Sequence, residues 1–310
     1  MDTRDYAEQP DRDEPSDAIR LTLPPDFDFA WALGFLAKRT VPALEAVGDR
    51  DYQRSVRLNG KPVTMAVTVV AGAERRGGGR KRTLIATSRP KLAPDVLEAA
   101  VRRMLDLDVD LRQFRRLARR DPLLARIVRR GSGVRLPQLL DPFEGLVRAI
   151  LGQQVSVAGA STITDRLVRL FARPIPGARR SGFLAFPTAA DVADAGEARL
   201  RALGLTRARA ATMSGVARRI ADGELNLDRL RHAGPDEAQA ALEALPGIGP
   251  WTASYVRMRA LGDRDAFPSG DLGVIKALAA LGVGRTSIID AAEPWRPWRG
   301  YATLHLWSSL

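Results

Sequence analysis

The residue types that this chain lacks limit the chemistry it can perform. The sequence has 310 residues, no cysteine and only two histidines, His232 and His305. A zinc finger, an iron–sulfur cluster, a cysteine nucleophile and a disulfide framework all need more cysteine or histidine than that. Any reaction must therefore depend on carboxylates, hydroxyl groups, lysine or the backbone.

The segment 236–262 predicts two helices joined by a tight turn, LPGIGP. Gly247 and Gly249 flank Ile248, which should point inward while the glycines let another chain approach the backbone closely. The amides at the start of the second helix, near Pro250, favour an anion. This turn therefore suits a phosphodiester, although an ordinary helix–helix turn with a glycine stop has the same pattern.

Three carboxylates follow this turn in the loop DRDAFPSGD. Asp271 stands at the head of the apolar helix LGVIKALAAL and can cap it. Asp263 and Asp265 lie in the turn that follows the second helix of the hairpin, where we expect solvated side chains. Upstream, Trp251 and Tyr255 are four residues apart, so they share one helix face and can form one wall of a pocket.

The charge of the chain predicts a polyanionic partner. Lysine and arginine number 48 against 36 acids, a net charge of +12. Residues 1–17 hold seven acids and two arginines, so the rest carries 46 basic against 29 acidic residues, or +17. Such a body is typical of proteins that bind nucleic acid. Ten arginines between 101 and 130 decide nothing alone, because basic solvated faces are common. Some form pairs, such as Arg115-Arg116, Arg119-Arg120 and Arg129-Arg130.

The N-terminal segment 1–17 is acidic and contains no apolar stretch, so we expect a disordered leader rather than a signal peptide. No run approaches the roughly 20 apolar residues that a membrane span needs. The sequence therefore predicts a cytoplasmic protein.

Residues 18–111 predict a small antiparallel α+β domain. Apolar residues alternate through 19–23, and Asp28 can cap a helix that extends toward Leu44. A period of two on both sides of Asn59-Gly60 predicts a β-hairpin, because this dipeptide favours a two-residue turn. A further strand and a helix follow, marked by Thr83–Thr87 and by Leu97, Val101 and Leu105.

Residues 112–310 predict an all-α helical bundle. Asp141, Ser156 and Thr188 each precede a helical repeat of apolar residues and are predicted N-caps. A break in the helical pattern falls at 152–154. Glycines that follow two other repeats mark helix ends, namely Gly204 and Gly223.

Through its hairpin and the loop that ends at Asp271, the chain resembles the helix-hairpin-helix glycosylase superfamily, and more closely the DNA-3-methyladenine glycosylase II family. Three more segments carry the resemblance in order: PPDFDFAWALGFLAKRTV, DPFEGLVRAILGQQVSVAGA and EPWRPWRGYATLHLW. The resemblance implies a small antiparallel sheet domain followed by a helical bundle with a DNA cleft. It also implies hydrolysis of the N-glycosidic bond of alkylated bases, such as 3-methyladenine and 7-methylguanine, after base flipping.

The resemblance also implies roles for particular residues. Asp271 matches the catalytic carboxylate, whose charge would stabilise the cation that forms at the sugar C1′. Phe35 and Trp307 match the same pocket as Trp251 and Tyr255, where aromatic faces attract a cationic base.

Several positions qualify this resemblance. Ser308 stands where the family pattern has an aromatic residue, so we expect a more open pocket on that side. Trp251 occupies the position at which strand-cleaving glycosylases carry a Schiff-base lysine, and we expect Lys276 at the surface. The resemblance therefore implies a monofunctional glycosylase. Trp295 and Trp298 are expected in the core.

Contacts to DNA are implied at the helix break and at the hairpin. Gln154 matches the wedge loop that fills the gap left by a flipped base, although a glutamine at a helix break need have no such role. The resemblance further implies a sodium or potassium ion held by hairpin carbonyls around Leu245 and Ile248, with no iron–sulfur cluster. The candidate phosphate-binding residues are Gly247, Gly249 and Thr252.

The expected partner is double-stranded DNA containing alkylated bases, bound by a monomer at the nucleoid. Three alternatives stay open: a non-catalytic hairpin protein that binds DNA or senses damage, a glycosylase for another base such as uracil or a mismatched adenine, and a protein-interaction role for the N-terminal domain. Asp271 discriminates against the first, because a pure DNA binder has no need of a carboxylate facing a polyanion.

Overall fold

A computed structural model describes residues 17–74, 80–128, 133–178 and 182–310 of the chain. The predicted leader, apart from Asp17, and the pair Arg129-Arg130 lie outside the described residues. The fold class is as predicted: an antiparallel sheet region comes first and a helical region follows. The domain boundary at residue 111 stays a prediction.

Five strands of the described residues form one antiparallel sheet in the order β1-β5-β4-β3-β2. The predicted hairpin is confirmed, because Leu58 pairs with Lys61 and the turn residues Asn59 and Gly60 have φ values of 50° and 76°. The strands are β1 Ile19–Thr22, β2 Glu45–Val47, β3 Asp51–Leu58, β4 Lys61–Glu74 and β5 Arg80–Arg89.

The first helix, α1, spans Phe29–Ala37 and is shorter than predicted. Asp28 caps it as expected, with its carboxylate accepting a hydrogen bond from the backbone. The helix does not extend toward Leu44, because Pro42 lacks the amide that a helix interior requires. Glu45 instead begins β2, which pairs with β3, a contact that local periodicity does not show.

The other helices of the described residues mostly follow the predicted signals. The N-caps Asp141, Ser156 and Thr188 are confirmed, since each accepts hydrogen bonds from the first turn of its helix. Gly204 and Gly223 follow their helices with positive φ, as predicted. The helices are α2 Pro94–Leu105, α3 Arg112–Arg120, α4 Pro122–Ile127, α5 Pro142–Leu151, α6 Val157–Phe171, α7 Ala189–Ala202, α8 Arg207–Ala221, α9 Leu227–His232, α10 Pro235–Glu243, α11 Pro250–Val256, α12 Leu272–Ala279, α13 Ile288–Ala292 and α14 Arg299–Ser308.

A π-helical turn, Arg257–Leu261, continues α11 without a break. No helix within the described ranges has the length and apolar character needed to cross a membrane.

Hydrophobic clusters show how these elements meet. In one cluster the sheet packs against α1 and α2. A second cluster contains residues from every helix from α5 through α11. A third joins α3 and α4 to α12, α13 and α14, and it includes Phe35 from α1. Trp295 and Trp298 are buried in this third cluster, as predicted. Most buried residues of α1 pack in the sheet cluster, but Phe35 packs with the C-terminal helices. Helix α1 therefore lies close to α14.

Candidate active site

An aromatic row connects α1, α14 and α11. Neighbouring ring centres along the row lie 5.2, 6.4, 6.2 and 5.6 Å apart. All four predicted pocket residues belong to it. The fifth ring, Trp31, was missed by the sequence analysis, although it lies four residues before Phe35 and so shares its helix face. In order, the row consists of Trp31, Phe35, Trp307, Tyr255 and Trp251.

Asp271 lies against this row and caps α12. Its Oδ1 accepts hydrogen bonds from the amides of Gly273 and Val274 at 2.9 and 3.1 Å, which confirms the predicted cap. The same oxygen accepts from the indole N–H of Trp307 at 2.8 Å, and Oδ2 accepts from that of Trp251 at 3.0 Å. Two rings of the row therefore hold the carboxylate in one orientation.

Ser308 is exposed at the end of α14 and contacts a side chain of α1. The indole N–H of Trp31 donates to the Ser308 hydroxyl at 2.9 Å. An aromatic ring from α1 therefore lies beside Ser308, and the expectation of a more open pocket on this side stays a prediction. The two residues are 277 positions apart, so no local pattern could have shown this contact.

The other two loop carboxylates lie in ion pairs, which corrects the expectation of solvated side chains. Asp263 pairs with Arg257, and Asp265 pairs with Arg296 and Arg299. The side chains of Asp263 and Asp265 are 21% and 19% exposed. Arginines of the neighbouring elements neutralise both acids and fix them in structural roles.

Two arginines border the row, and the sequence analysis missed both. The Arg39 Cζ lies 3.8 Å from the centre of the Phe35 ring, and the Arg259 Cζ lies 4.7 Å from it. Burial lowers the pKa of Arg39 to about 10, and burial also lowers the pKa of Arg259. A signal was present, because Arg39 follows Phe35 by four residues and Arg259 follows Tyr255 by four.

A buried ionic cluster lies between the sheet and α5. Its ion pairs join Arg54 to Glu144 at 2.6 Å, Arg148 to Glu45 at 3.0 Å and Arg148 to Glu144 at 3.1 Å. Burial opposes ionisation of Glu45, but the arginines outweigh it and lower its pKa. The Tyr52 hydroxyl donates to Glu45. The cluster thus comprises Glu45, Tyr52, Arg54, Glu144 and Arg148.

The two glycines of the hairpin have different structural roles. Gly247 has φ of +83°, and a Cβ there would lie 1.9 Å from the Thr212 hydroxyl oxygen, so packing requires glycine. A Cβ on Gly249 would meet nothing within 4 Å. Ile248 between them is 4% exposed and packs inward, as predicted. The hairpin is therefore open at Gly249 and closely packed at Gly247.

The Thr252 hydroxyl is buried against the helix break, so the predicted phosphate contact at this residue falls to its backbone amide and stays a prediction. Thr252 is 3% exposed, and its Oγ1 accepts a hydrogen bond from Gln153 Nε2 at 3.0 Å. The same amide donates to the Gly247 carbonyl at 3.0 Å. Gln153, a residue that the sequence analysis missed, thus ties the helix break to the hairpin. Gln154 is exposed in this break, with φ of 55°.

These features define a class of protein. The chain matches the model of the AlkA N-terminal domain over residues 18–141 and that of the HhH-GPD superfamily of base excision DNA repair proteins over residues 147–293. The sheet therefore lies in the region that matches the AlkA N-terminal domain, and the hairpin and Asp271 lie in the region that matches the HhH-GPD superfamily.

Individual relatives place the chain more narrowly. It is 33% identical to "DNA-3-methyladenine glycosylase 2" of Escherichia coli over 293 residues, 93% of this chain and 95% of that protein. The solved "3-methyladenine dna-glycosylase from Archaeoglobus fulgidus" superposes with a TM-score of 0.77 at 25% identity, covering 94% of this chain and 97% of that one. The chain belongs to the DNA-3-methyladenine glycosylase 2 family.

Another relative is longer than this chain. The "Probable bifunctional transcriptional activator/DNA repair enzyme AlkA" of Mycobacterium tuberculosis is 36% identical over 299 residues, 94% of this chain. The match spans only 57% of that relative's length.

Proposed function

We propose that this chain is a DNA glycosylase that hydrolyses the N-glycosidic bond of alkylated bases, of the 3-methyladenine and 7-methylguanine type, in double-stranded DNA. The observation that carries this proposal is the Asp271 carboxylate held against the aromatic row by two indole N–H groups. It puts negative charge beside a surface on which a base can stack. The names of the relatives in Escherichia coli and Archaeoglobus fulgidus support the same substrate class.

Asp271 is the group to which we assign the chemistry. When the C1′–N bond breaks, its electron pair leaves with the base and positive charge develops on the sugar. A carboxylate beside C1′ stabilises that charge and can orient the attacking water. Because backbone amides and indoles already hold the Asp271 oxygens, the charge needs no reorganisation during the reaction.

The aromatic row is the surface that we assign to the extruded base. Alkylated purines of this type carry a positive charge, which aromatic faces attract. A base reaches the row only after it leaves the duplex. We assign the wedge that fills the vacated space to Gln154, which is exposed in a helix break that Gln153 anchors to the hairpin.

We further assign a monofunctional reaction, in which water and not an amine attacks the sugar. Trp251 fills the hairpin position at which a strand-cleaving glycosylase needs a lysine, and its indole is engaged with Asp271. Lys276, in α12, is exposed. Borohydride reduction during turnover should therefore trap no covalent protein–DNA adduct, and a trapped adduct would contradict this assignment.

We assign the phosphate contact to the backbone amides at the start of α11. Gly249 is the N-cap of α11 and no side chain caps it, so the amides of Trp251 and Thr252 remain available for an anion. Replacing Gly249 with valine should weaken binding to every duplex alike, because amides read no bases. Gly284→Val is the matched control, since a Cβ at that glycine also meets nothing within 4 Å.

We also propose a sodium or potassium ion beside this contact, held by the carbonyls of Leu245 and Ile248. Carbonyl oxygens are hard ligands of the kind that such cations accept. The Leu245 carbonyl accepts a hydrogen bond from the Ile248 amide at 3.0 Å and keeps a second lone pair. If the ion is present, DNA affinity should be higher in potassium chloride than in tetramethylammonium chloride at equal ionic strength.

The experiment that tests the function uses duplex DNA with a single 7-methylguanine or 3-methyladenine analogue, acting as a substrate for the purified monomer. We expect heat or mild alkali to cleave the strand at the lesion more after incubation with the protein than in the same duplex incubated without it, and an unmodified duplex to stay intact. Affinity should fall steeply as salt rises, because phosphate contacts release counterions. Salt-dependent binding without any abasic site would show a DNA-binding protein that is not a glycosylase.

A further inference from the structure

Arg39 places a positive charge on the aromatic row. Its Cζ lies 3.8 Å from the centre of the Phe35 ring and 5.4 Å from that of Trp307. Its Nη1 donates to the Phe35 carbonyl at 3.1 Å, and its own carbonyl accepts from Arg148 at 2.6 Å. The guanidinium and the backbone of Arg39 are therefore each held by a hydrogen bond. Among the described residues, no carboxylate forms an ion pair with its guanidinium.

The guanidinium keeps its charge at neutral pH. Burial lowers the pKa of Arg39 to about 10, while Tyr255 and Asp271 act in the opposite direction. A group with this pKa is almost fully protonated at pH 7. A base that stacks on the row therefore meets a fixed positive charge, while Asp271 supplies the negative charge beside the sugar.

The effect of this charge depends on the charge of the base. In hydrolysis the C1′–N bond breaks and its electron pair moves to the base; the water oxygen bonds to C1′ and a water proton goes to solvent. A cationic alkylated base then leaves as a neutral molecule. A neutral base leaves as an anion, which afterwards takes up a proton from water. Only in the second case does negative charge develop next to the guanidinium.

We propose that Arg39 is a specificity-determining residue that extends the substrate range to damaged purines without a formal charge. Resting on the glycosylase function proposed above, it stabilises the anion that such a base becomes. The same positive charge repels an alkylated base that is still cationic, so it weakens the binding of that class. Arg39 thus balances two substrate classes within one pocket.

The test compares duplexes that carry either hypoxanthine, a neutral purine, or 7-methylguanine, a cationic one. We expect Arg39→Gln to lower kcat/KM for hypoxanthine by about tenfold, the size expected for one nearby charge at partial charge development. For 7-methylguanine the same variant should keep kcat/KM or raise it, with a lower KM. Arg39→Met, which keeps an unbranched stem over Phe35, carries the same expectation if the glutamine variant does not fold.

Two control variants separate charge from packing. Arg39→Lys keeps the charge and should hold the ratio of the two kcat/KM values within about threefold of wild type. Lys38→Gln removes the same charge from the exposed neighbouring residue and should leave the ratio unchanged.

An equal loss on both substrates in the Arg39 variants would overturn the proposal, as would a wild-type protein that excises 7-methylguanine but no hypoxanthine. A wild type that excises neither base would instead contradict the proposed function.

Discussion

The buried ionic cluster and the aromatic row both hold charged groups away from water, but they treat those charges differently. In the cluster, Glu144 and Glu45 are in contact with Arg54 or Arg148, so each charge meets an opposite one. Along the row, Asp271 is held by neutral indole and amide donors, and Arg39 lies on aromatic rings.

This difference indicates that the ionic cluster stabilises the fold and that the aromatic row serves the reaction. A charge paired with an opposite charge has little field left to act on a ligand, whereas a charge held by neutral donors keeps its field and its position. Asp263 and Asp265 resemble the cluster in this respect, since arginines neutralise them. We therefore expect changes in the cluster to alter stability and changes at the row to alter catalysis.

The largest effect should follow from Glu144→Ala. The substitution leaves Arg54 and Arg148 buried with part of their counter-charge gone, which should cost about 3–5 kcal/mol in the free energy of unfolding. Urea denaturation measures this loss. Glu98→Ala is the control, because its pair with Arg102 is exposed and should be worth at most about 1 kcal/mol. If the two variants lose the same stability, burial of the cluster does not make its ion pairs more important than an exposed pair.

Asp271→Asn should lower excision strongly and change stability little, the reverse of Glu144→Ala. The amide keeps the size of the side chain but removes the charge, so single-turnover excision should fall at least about 100- to 1000-fold. The unfolding midpoint and DNA affinity should stay close to those of wild type. Asp263→Asn, which breaks the ion pair with Arg257 instead, should leave excision unaffected. Excision by Asp271→Asn within about threefold of wild type would remove Asp271 from its catalytic role.

His305 is a buried titratable group without an opposite charge beside it among the described residues, and its pKa makes the stability of the protein depend on pH. It is 2% exposed, stacks on Phe114 and has a pKa lowered by burial to about 4. The unfolded chain therefore takes up the proton first, so stability should fall as pH drops from about 6.5 to about 4, by on the order of 3 kcal/mol. His305→Phe should remove this component of the pH profile. The exposed His232, changed to glutamine, should leave it in place.

The smallest effect should come from Trp251→Phe. The ring remains on the row, but the indole N–H that donates to Asp271 Oδ2 is lost. Excision should fall roughly tenfold, because one hydrogen bond to a charged group is removed while the others remain. In the Asp271→Asn background the same change should cost much less, since the charge it orients is already absent. Equal losses in the two backgrounds would mean that Trp251 acts by stacking alone.

Much of this architecture could be predicted because its signals are local. The turn at Asn59-Gly60 and the caps Asp28, Asp141 and Asp271 all act within a few residues of their own position. The aromatic positions four residues apart on one helix likewise follow from helix geometry. The predicted extension of the first helix toward Leu44 was wrong because Pro42 interrupts it, and the pairing of β2 with β3 that follows has no local signal.

The sequence by itself determined the division into a sheet region and a helical region, the glycine hairpin and the carboxylate at the head of α12, because backbone propensity and periodicity specify these over short distances. Only the tertiary structure decided that Trp31 contacts Ser308 and that Arg39 lies near the Trp307 ring. It also placed the hydroxyl of Thr252 within hydrogen-bond distance of Gln153. Such contacts join residues far apart in the chain, and their geometry is set by how whole elements pack, which no local pattern specifies.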